Sequence, residues 1–148
     1  MWTCLILISV PVNADQAPLR ILILNSYDET SAPYYRPIDV FKKRLQENHA
    51  EHIAFQHVDL RQRISDNQDE TDQSIAQLLL SRYADFPPDL VVAAGPPAID
   101  FWVQQRDVTF PDALFVAMAR ESYLRQARLQ PTDAVVATQF SVKGTIEN

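Results

Sequence analysis

The residues best equipped for chemistry stand in four short polar tips, each closing an apolar run. Asn25-Ser26-Tyr27-Asp28 follows one run, Gly95-Pro96 a second, Met118 and Arg120 end a third, and Thr138-Gln139 ends a fourth. An amide, hydroxyls, a carboxylate and a guanidinium are groups that orient a small polar solute by hydrogen bonds, and the planar fork of Arg120 suits an anionic ligand group. Three of the tips also have a plainer use. Ser26 and Asp28 are good caps for the helix that follows them. Gly95 with Pro96 and Pro97 makes a tight strand-to-helix turn, and Arg120 suits a solvated loop. A helix starting near Pro96 would aim N–H groups at an anion, but two prolines remove two of those donors.

Other chemistries find little support. His49, His52 and His57 form no i, i+4 pair and no cysteine joins them, so a zinc site is not expected. Asp66, Asp69, Glu70 and Asp72 lack the glycine and final glutamate of a calcium loop and read as a helix N-terminus, with Asp69, Glu70 and Asp72 in its first turn, and its solvated approach. The chain has 2 glycines, Gly95 and Gly144, which excludes a Gly-rich dinucleotide or phosphate loop, and no cofactor is expected. A receiver domain would close its third strand with aspartate, where Ala94 and Gly95 stand. Ser26 lacks the flanking glycines of a nucleophile elbow, and no histidine follows His57. A small-molecule hydrolase is therefore the second reading, and a dimerisation module the third. Tyr34, Tyr35, Phe101 and Trp102 could line a ligand box, but helical spacing favours core packing.

The elements that must carry these tips alternate. Residues 19–25 form an apolar run with a polar stop, the pattern of a strand covered on both faces. From Tyr34, the positions Tyr35, Ile38, Phe41 and Leu45 repeat as one face of a helix, with Lys42, Lys43 and Arg44 near its end. Ile53, Phe55 and His57 alternate with Ala54, Gln56 and Val58 up to Leu60, a half-exposed strand suited to a sheet edge. A second helix uses Ile75, Leu78, Leu79, the Arg82 stem and Tyr83, and stops at Pro87-Pro88. Residues 89–94 are a third, buried strand, leading at once into a helix with Ile99, Phe101, Trp102 and Val103. Residues 113–117 and 134–138 complete five strands, both expected to be buried, in the order βαβαβαβ(α)β. That order implies an α/β fold: an open parallel sheet with helices on both faces and flavodoxin-like strand order. Ligands of such sheets bind outside the carboxyl ends of the strands, at the switch point where loops diverge.

With 148 residues, 47% hydrophobic and 22% charged, the chain has the make-up of one globular domain. Its net charge of −6 and scattered basic residues argue against nucleic acid. Residues 1–10 are almost wholly apolar, and Val12-Asn13-Ala14 offers small residues for cleavage, so residues 1–14 read as a secretory signal, shortened at its start because no Lys or Arg precedes Arg20. The run is too short to span a bilayer by itself. A buried first strand or a tail is the alternative, and Met1-Trp2-Thr3 before Cys4 does not resemble a lipobox. Residues 15–140 form the lobe. Residues 141–148 begin a helix with no capping glycine or closing element, which leads to the expectation that the sequence is a piece of a longer protein.

Taken in order, Arg20-Ile21-Leu22-Ile23-Leu24-Asn25-Ser26-Tyr27, Tyr83-Ala84-Asp85-Phe86-Pro87-Pro88-Asp89-Leu90-Val91-Val92, the Phe110-Pro111 turn before Leu114-Phe115-Val116, and Lys143-Gly144-Thr145-Ile146 resemble one family. It is the extracytoplasmic sensor domain, akin to the substrate-binding component of an ABC transporter, at the N-terminus of many bacterial sensor histidine kinases and diguanylate cyclases. The resemblance covers most of residues 19–146. It implies a periplasmic-binding-protein-like lobe, exported to the periplasm and serving signal transduction in a two-component system, whose second lobe starts near Lys143-Gly144-Thr145. It implies a small-molecule solute as partner, with catalysis left to an output domain past this chain and membrane anchorage through segments absent from it. A homodimer is a further expected assembly. The chain departs from the family at Asp28, where a His or similar polar residue is usual, and at Gly95-Pro96-Pro97, where an acidic pair is common, so ligand identity does not carry over. A single lobe is expected to bind its solute weakly or not at all.

Overall fold

The structure is a computed structural model and describes residues 17–27, 35–48, 52–60 and 68–138. Five strands, β1 (Leu19–Asn25), β2 (Ile53–Asp59), β3 (Leu90–Ala94), β4 (Leu114–Arg120) and β5 (Ala134–Thr138), form one sheet in the order β2-β1-β3-β4-β5. Every neighbouring pair is parallel. Between them run α1 (Tyr35–Asn48), α2 (Gln68–Arg82), α3 (Pro96–Thr109) and the single turn α4 (Glu121–Leu124). This is the expected open parallel α/β sheet with the flavodoxin-like order.

Alternation along the central strands divides the core into two layers. Leu22, Leu24, Val91, Ala93, Phe115, Ala117 and Ala119 face one way and pack with Ala76, Leu79, Ile99, Phe101 and Trp102 of α2 and α3, joined by Tyr123 and Leu124 of α4. Ile21, Ile23, Val92, Ala94 and Met118 face the other way, under Ile38, Phe41 and Leu45 of α1. Helices thus cover both faces of β1 and β3, which is why those strands read as unbroken apolar runs. Trp102 is fully buried, its indole 5.9 Å from Phe115 and 6.4 Å from Phe110, centroid to centroid. The aromatics on α3 are core, as helical spacing favoured; Tyr34 lies outside the described residues.

Three expectations change. In α2 the buried positions are Asp72, Ala76 and Leu79, with Tyr83 buried just past the helix end, whereas Leu78 is exposed. The stripe is therefore rotated from the one read through the leucines, and it takes in Asp72 of the acidic first turns. Helix α1 runs on to Asn48, so Lys42, Lys43 and Arg44 sit before its last turn, with Lys42 Nζ 3.0 Å from His57 Nε2 and lying over the Phe55 ring. Among the described residues, strand β5 pairs with β4 alone, and it is exposed from Ala134 to Ala137, so the fifth strand is an edge of the described sheet and not a buried strand.

Two ion pairs tie the ends of elements together. At the amino edge of the sheet, Asp89 takes the Arg20 guanidinium through Nε at 3.2 Å and Nη2 at 3.1 Å, and also accepts the Arg20 backbone N–H at 2.8 Å. These hydrogen bonds hold the Asp89 carboxyl below the usual carboxylate range and raise Arg20. On the α3 side, Arg106 Nη1 donates to both oxygens of Asp133, which also accepts the N–H of Gln130 and so fixes the approach to β5.

Candidate functional site

All the described polar tips reach one edge of the sheet. Because the five strands are parallel, Asn25, Asp59, Ala94, Arg120 and Thr138 each end a strand at the carboxyl side. From β1 the chain first crosses to β2 on one side and then returns to β3 on the other, so the loops after β1 and β3 part at the switch point.

Register and alternation separate two groups along this edge. Asn25 stands opposite Asp59 on β2 and Ala94 on β3, and Ala94 stands opposite Met118 on β4. Two residues further along, Arg120 stands opposite Thr138. Asn25 shares the face of Ile21 and Ile23, and Arg120 that of Met118, so Asn25, Asp59, Arg120 and Thr138 occupy the α1 face. Two strand spacings, roughly 10 Å, separate β1 from β4, with the Ala94 methyl and the bare backbone of Gly95 between them. Tyr27, following Ser26, is exposed beside this edge.

Asn25 is 4% exposed, and its Nδ2 donates to Asp59 Oδ1 at 3.3 Å. Its backbone is held too, the carbonyl accepting the Leu60 N–H at 2.8 Å. The side-chain oxygen Oδ1 is buried and finds no hydrogen-bond partner among the described residues. The same is true of the Thr138 hydroxyl, on the far side of the rim. Buried polar atoms of this kind carry a cost that a ligand or an ordered water relieves.

Ser26 has a different task. Its Oγ accepts the Ala98 N–H at 3.0 Å in a buried contact, while its own N–H donates to Ala94 at 3.0 Å. Ser26 therefore caps α3, the helix after β3, and not the helix that follows it in sequence. The same contact answers the anion reading of Gly95 and Pro96. Gly95 N–H donates to the Met118 carbonyl, Pro96 and Pro97 have no N–H, and Ala98 N–H belongs to Ser26. The first turn of α3 keeps no free donor for an anion. Gly95 itself sits at φ 89, ψ 159, a region open to glycine alone, which lets the chain pass from strand to helix without a linker.

Met118 contributes packing: its side chain is fully buried with Ile38 and Val92, so its reading as a ligand contact is replaced by a core role. Asp28 and Gln139 lie outside the described residues. Asp59 was not among the sequence candidates although it faces Asn25. The signal available was a lone carboxylate between Val58 and Leu60 at the end of an alternating strand.

Among the described residues, no group of three or more His, Cys, Asp or Glu is gathered to hold a metal ion, and no helix is long and apolar enough to cross a membrane. No protein-family model matches the chain, and no curated protein does.

Proposed function

We propose that this chain is one lobe of an extracytoplasmic solute-sensing domain, of the kind found ahead of bacterial sensor kinases and diguanylate cyclases. The observation that carries the reading is the gathering of Asn25, Asp59, Arg120 and Thr138 on one face of the carboxyl edge, at the switch point of a parallel sheet. These groups offer hydrogen-bond donors and acceptors of the kinds that orient a small polar solute, on either side of Ala94 and Gly95 at the end of β3.

In this proposal a solute rests on the rim and a second lobe closes over it. Closure is driven only by the difference in solute affinity between open and closed forms, so the second lobe must add contacts of its own. The movement is relayed through a membrane helix to an output domain. The apolar first residues export the chain to the periplasm, and the whole protein is anchored in the inner membrane. Weak binding by this lobe follows from its having only part of the contacts.

A second reading, a dimerisation module, draws on β5, whose Val135 and Val136 are exposed on an edge strand. The helix bearing Phe101 and Trp102 lends it nothing, because both rings are buried.

The test is a saturation-transfer NMR screen of the 148-residue chain against amino acids, sugars, purines and organic anions, a method suited to weak ligands. A solute lobe gives at least one binder whose signal is lost in Arg120→Ala. Absence of any binder, together with a stable dimer in analytical ultracentrifugation, would move the assignment to the second reading.

A further inference from the structure

The two edge strands of the described sheet are built differently. Along β2, Gln56, His57 and Asp59 place polar and charged groups, and Lys42 of α1 reaches over it to His57 Nε2 and the Phe55 ring. Charge on an edge, and a side chain drawn across it, discourage a further strand from pairing there. Strand β5 has neither. Its sequence, Ala134-Val135-Val136-Ala137-Thr138, holds no charged residue, no proline and no glycine, and its first four residues are exposed. Val136, 36% exposed, lies on the α1 face with Val116 and Met118, where Leu114 at the start of β4 is 70% exposed. Val135, 54% exposed, lies on the opposite face. Apolar surface therefore wraps round this edge from both sides, and what fits such an edge is another strand.

We infer that the partner strand is β5 of a second copy, running antiparallel about a two-fold axis at Val136. Each chain has net charge −6, so two copies repel over most of their surfaces and meet best where charge is absent. The residues flanking β5 meet this need: Asp133 is held by Arg106 with its side chain 5% exposed, and Gln139 is neutral. Centring on Val136 pairs the whole strand, Val136 with itself, Val135 with Ala137 and Ala134 with Thr138, and keeps every residue on its own face of the sheet. A centre at Val135 would bring Asp133 into the pairing. The contact is isologous and joins the two sheets into one. It goes beyond the solute reading, since each copy keeps its own carboxyl edge, and the two edges open at opposite ends of the joined sheet.

The experiment is sedimentation of the 148-residue chain from micromolar to millimolar concentration, where a concentration-dependent dimer is expected because a five-residue strand makes a small interface. Position 136 faces its own copy, so Val136→Lys and Val136→Glu each set like charges opposite one another. Each alone is expected to associate at least about tenfold more weakly than the parent. Mixed in equal amounts, the two variants set opposite charges across the axis, and the dimer is expected to return. Amide exchange at Val135, Val136 and Ala137 of the parent, which needs no variant, is expected to slow as concentration rises. A parent that stays monomeric, exchange in β5 that is independent of concentration, a Val136→Lys chain that associates as the parent does, or folded variants whose mixture stays monomeric would overturn the inference. A monomer that still binds a solute from the screen removes the pairing and leaves the lobe reading; a dimer without a binder does the reverse.

Discussion

The hydroxyl of Ser26, just past the end of β1, accepts the N–H of Ala98 in the first turn of α3, a residue 72 positions later. This contact spans the two diverging loops of the switch point. It satisfies the only first-turn donor that Pro96 and Pro97 leave to α3, and it holds the floor of the rim in one geometry. Removing the hydroxyl strands a buried N–H. Ser26→Ala is expected to lose about 1–2 kcal/mol in urea unfolding. A loss within error would show that water replaces the contact.

Gly95 is fixed by its backbone. At φ 89, ψ 159 a Cβ collides with the chain, so Gly95→Ala is expected to cost on the order of 1–3 kcal/mol. Circular dichroism melts of the variant measure it, and an unchanged Tm would contradict the conformation described.

The Arg20–Asp89 pair gives stability a defined pH dependence. The Asp89 carboxyl is depressed by the Arg20 hydrogen bonds, so its contribution is fully present above the unfolded carboxylate value, about pH 4, and is lost as pH falls through the lower folded value. Arg20 stays charged throughout and adds no slope. Unfolding followed by fluorescence across this range should show a flatter acid limb in Asp89→Asn than in the parent, with lower stability at neutral pH. Parallel curves would refute the assignment.

Arg106 and Asp133 are paired with side chains only 12% and 5% exposed. Asp133→Ala leaves the guanidinium buried without its partner and is expected to cost about 3–5 kcal/mol. The double variant Arg106→Met with Asp133→Leu should recover most of that loss in the same denaturation assay, because the desolvation cost is removed along with the attraction.

The fold was legible because its central strands are apolar on both faces and its helices are punctuated by prolines and Gly95. Residues 19–25 and 90–94 could hardly be other than covered strands, and the passage from Ala94 to Pro96 left no space for a loop. Strand β5 deceived because Ala134, Val135, Val136 and Ala137 are apolar yet lie at an edge, and no local pattern distinguishes an apolar edge strand from a central one. Helix α2 deceived because three leucines in succession cannot all face inward, and the buried stripe chose Ala76 and Asp72 over Leu78.

At the site, the placement of Asn25, Arg120 and Thr138 on one edge followed from parallel topology. The partnerships did not. Ser26 meets Ala98, and Asn25 meets Asp59, across gaps in sequence that only strand register closes. Capping preference alone assigns Ser26 to the wrong helix, since it sees only the helix that comes next.

The solute site is tested most directly by mapping where a binder from the screen acts, through backbone amide shifts of the 15N-labelled chain as solute is added. A site at the carboxyl edge requires the largest, saturable shifts at Asn25, Tyr27, Gly95, Arg120 and Thr138, with Arg20 and Asp89 at the opposite edge unmoved. Shifts centred on Arg20 and Asp89, or confined to β5, would contradict it.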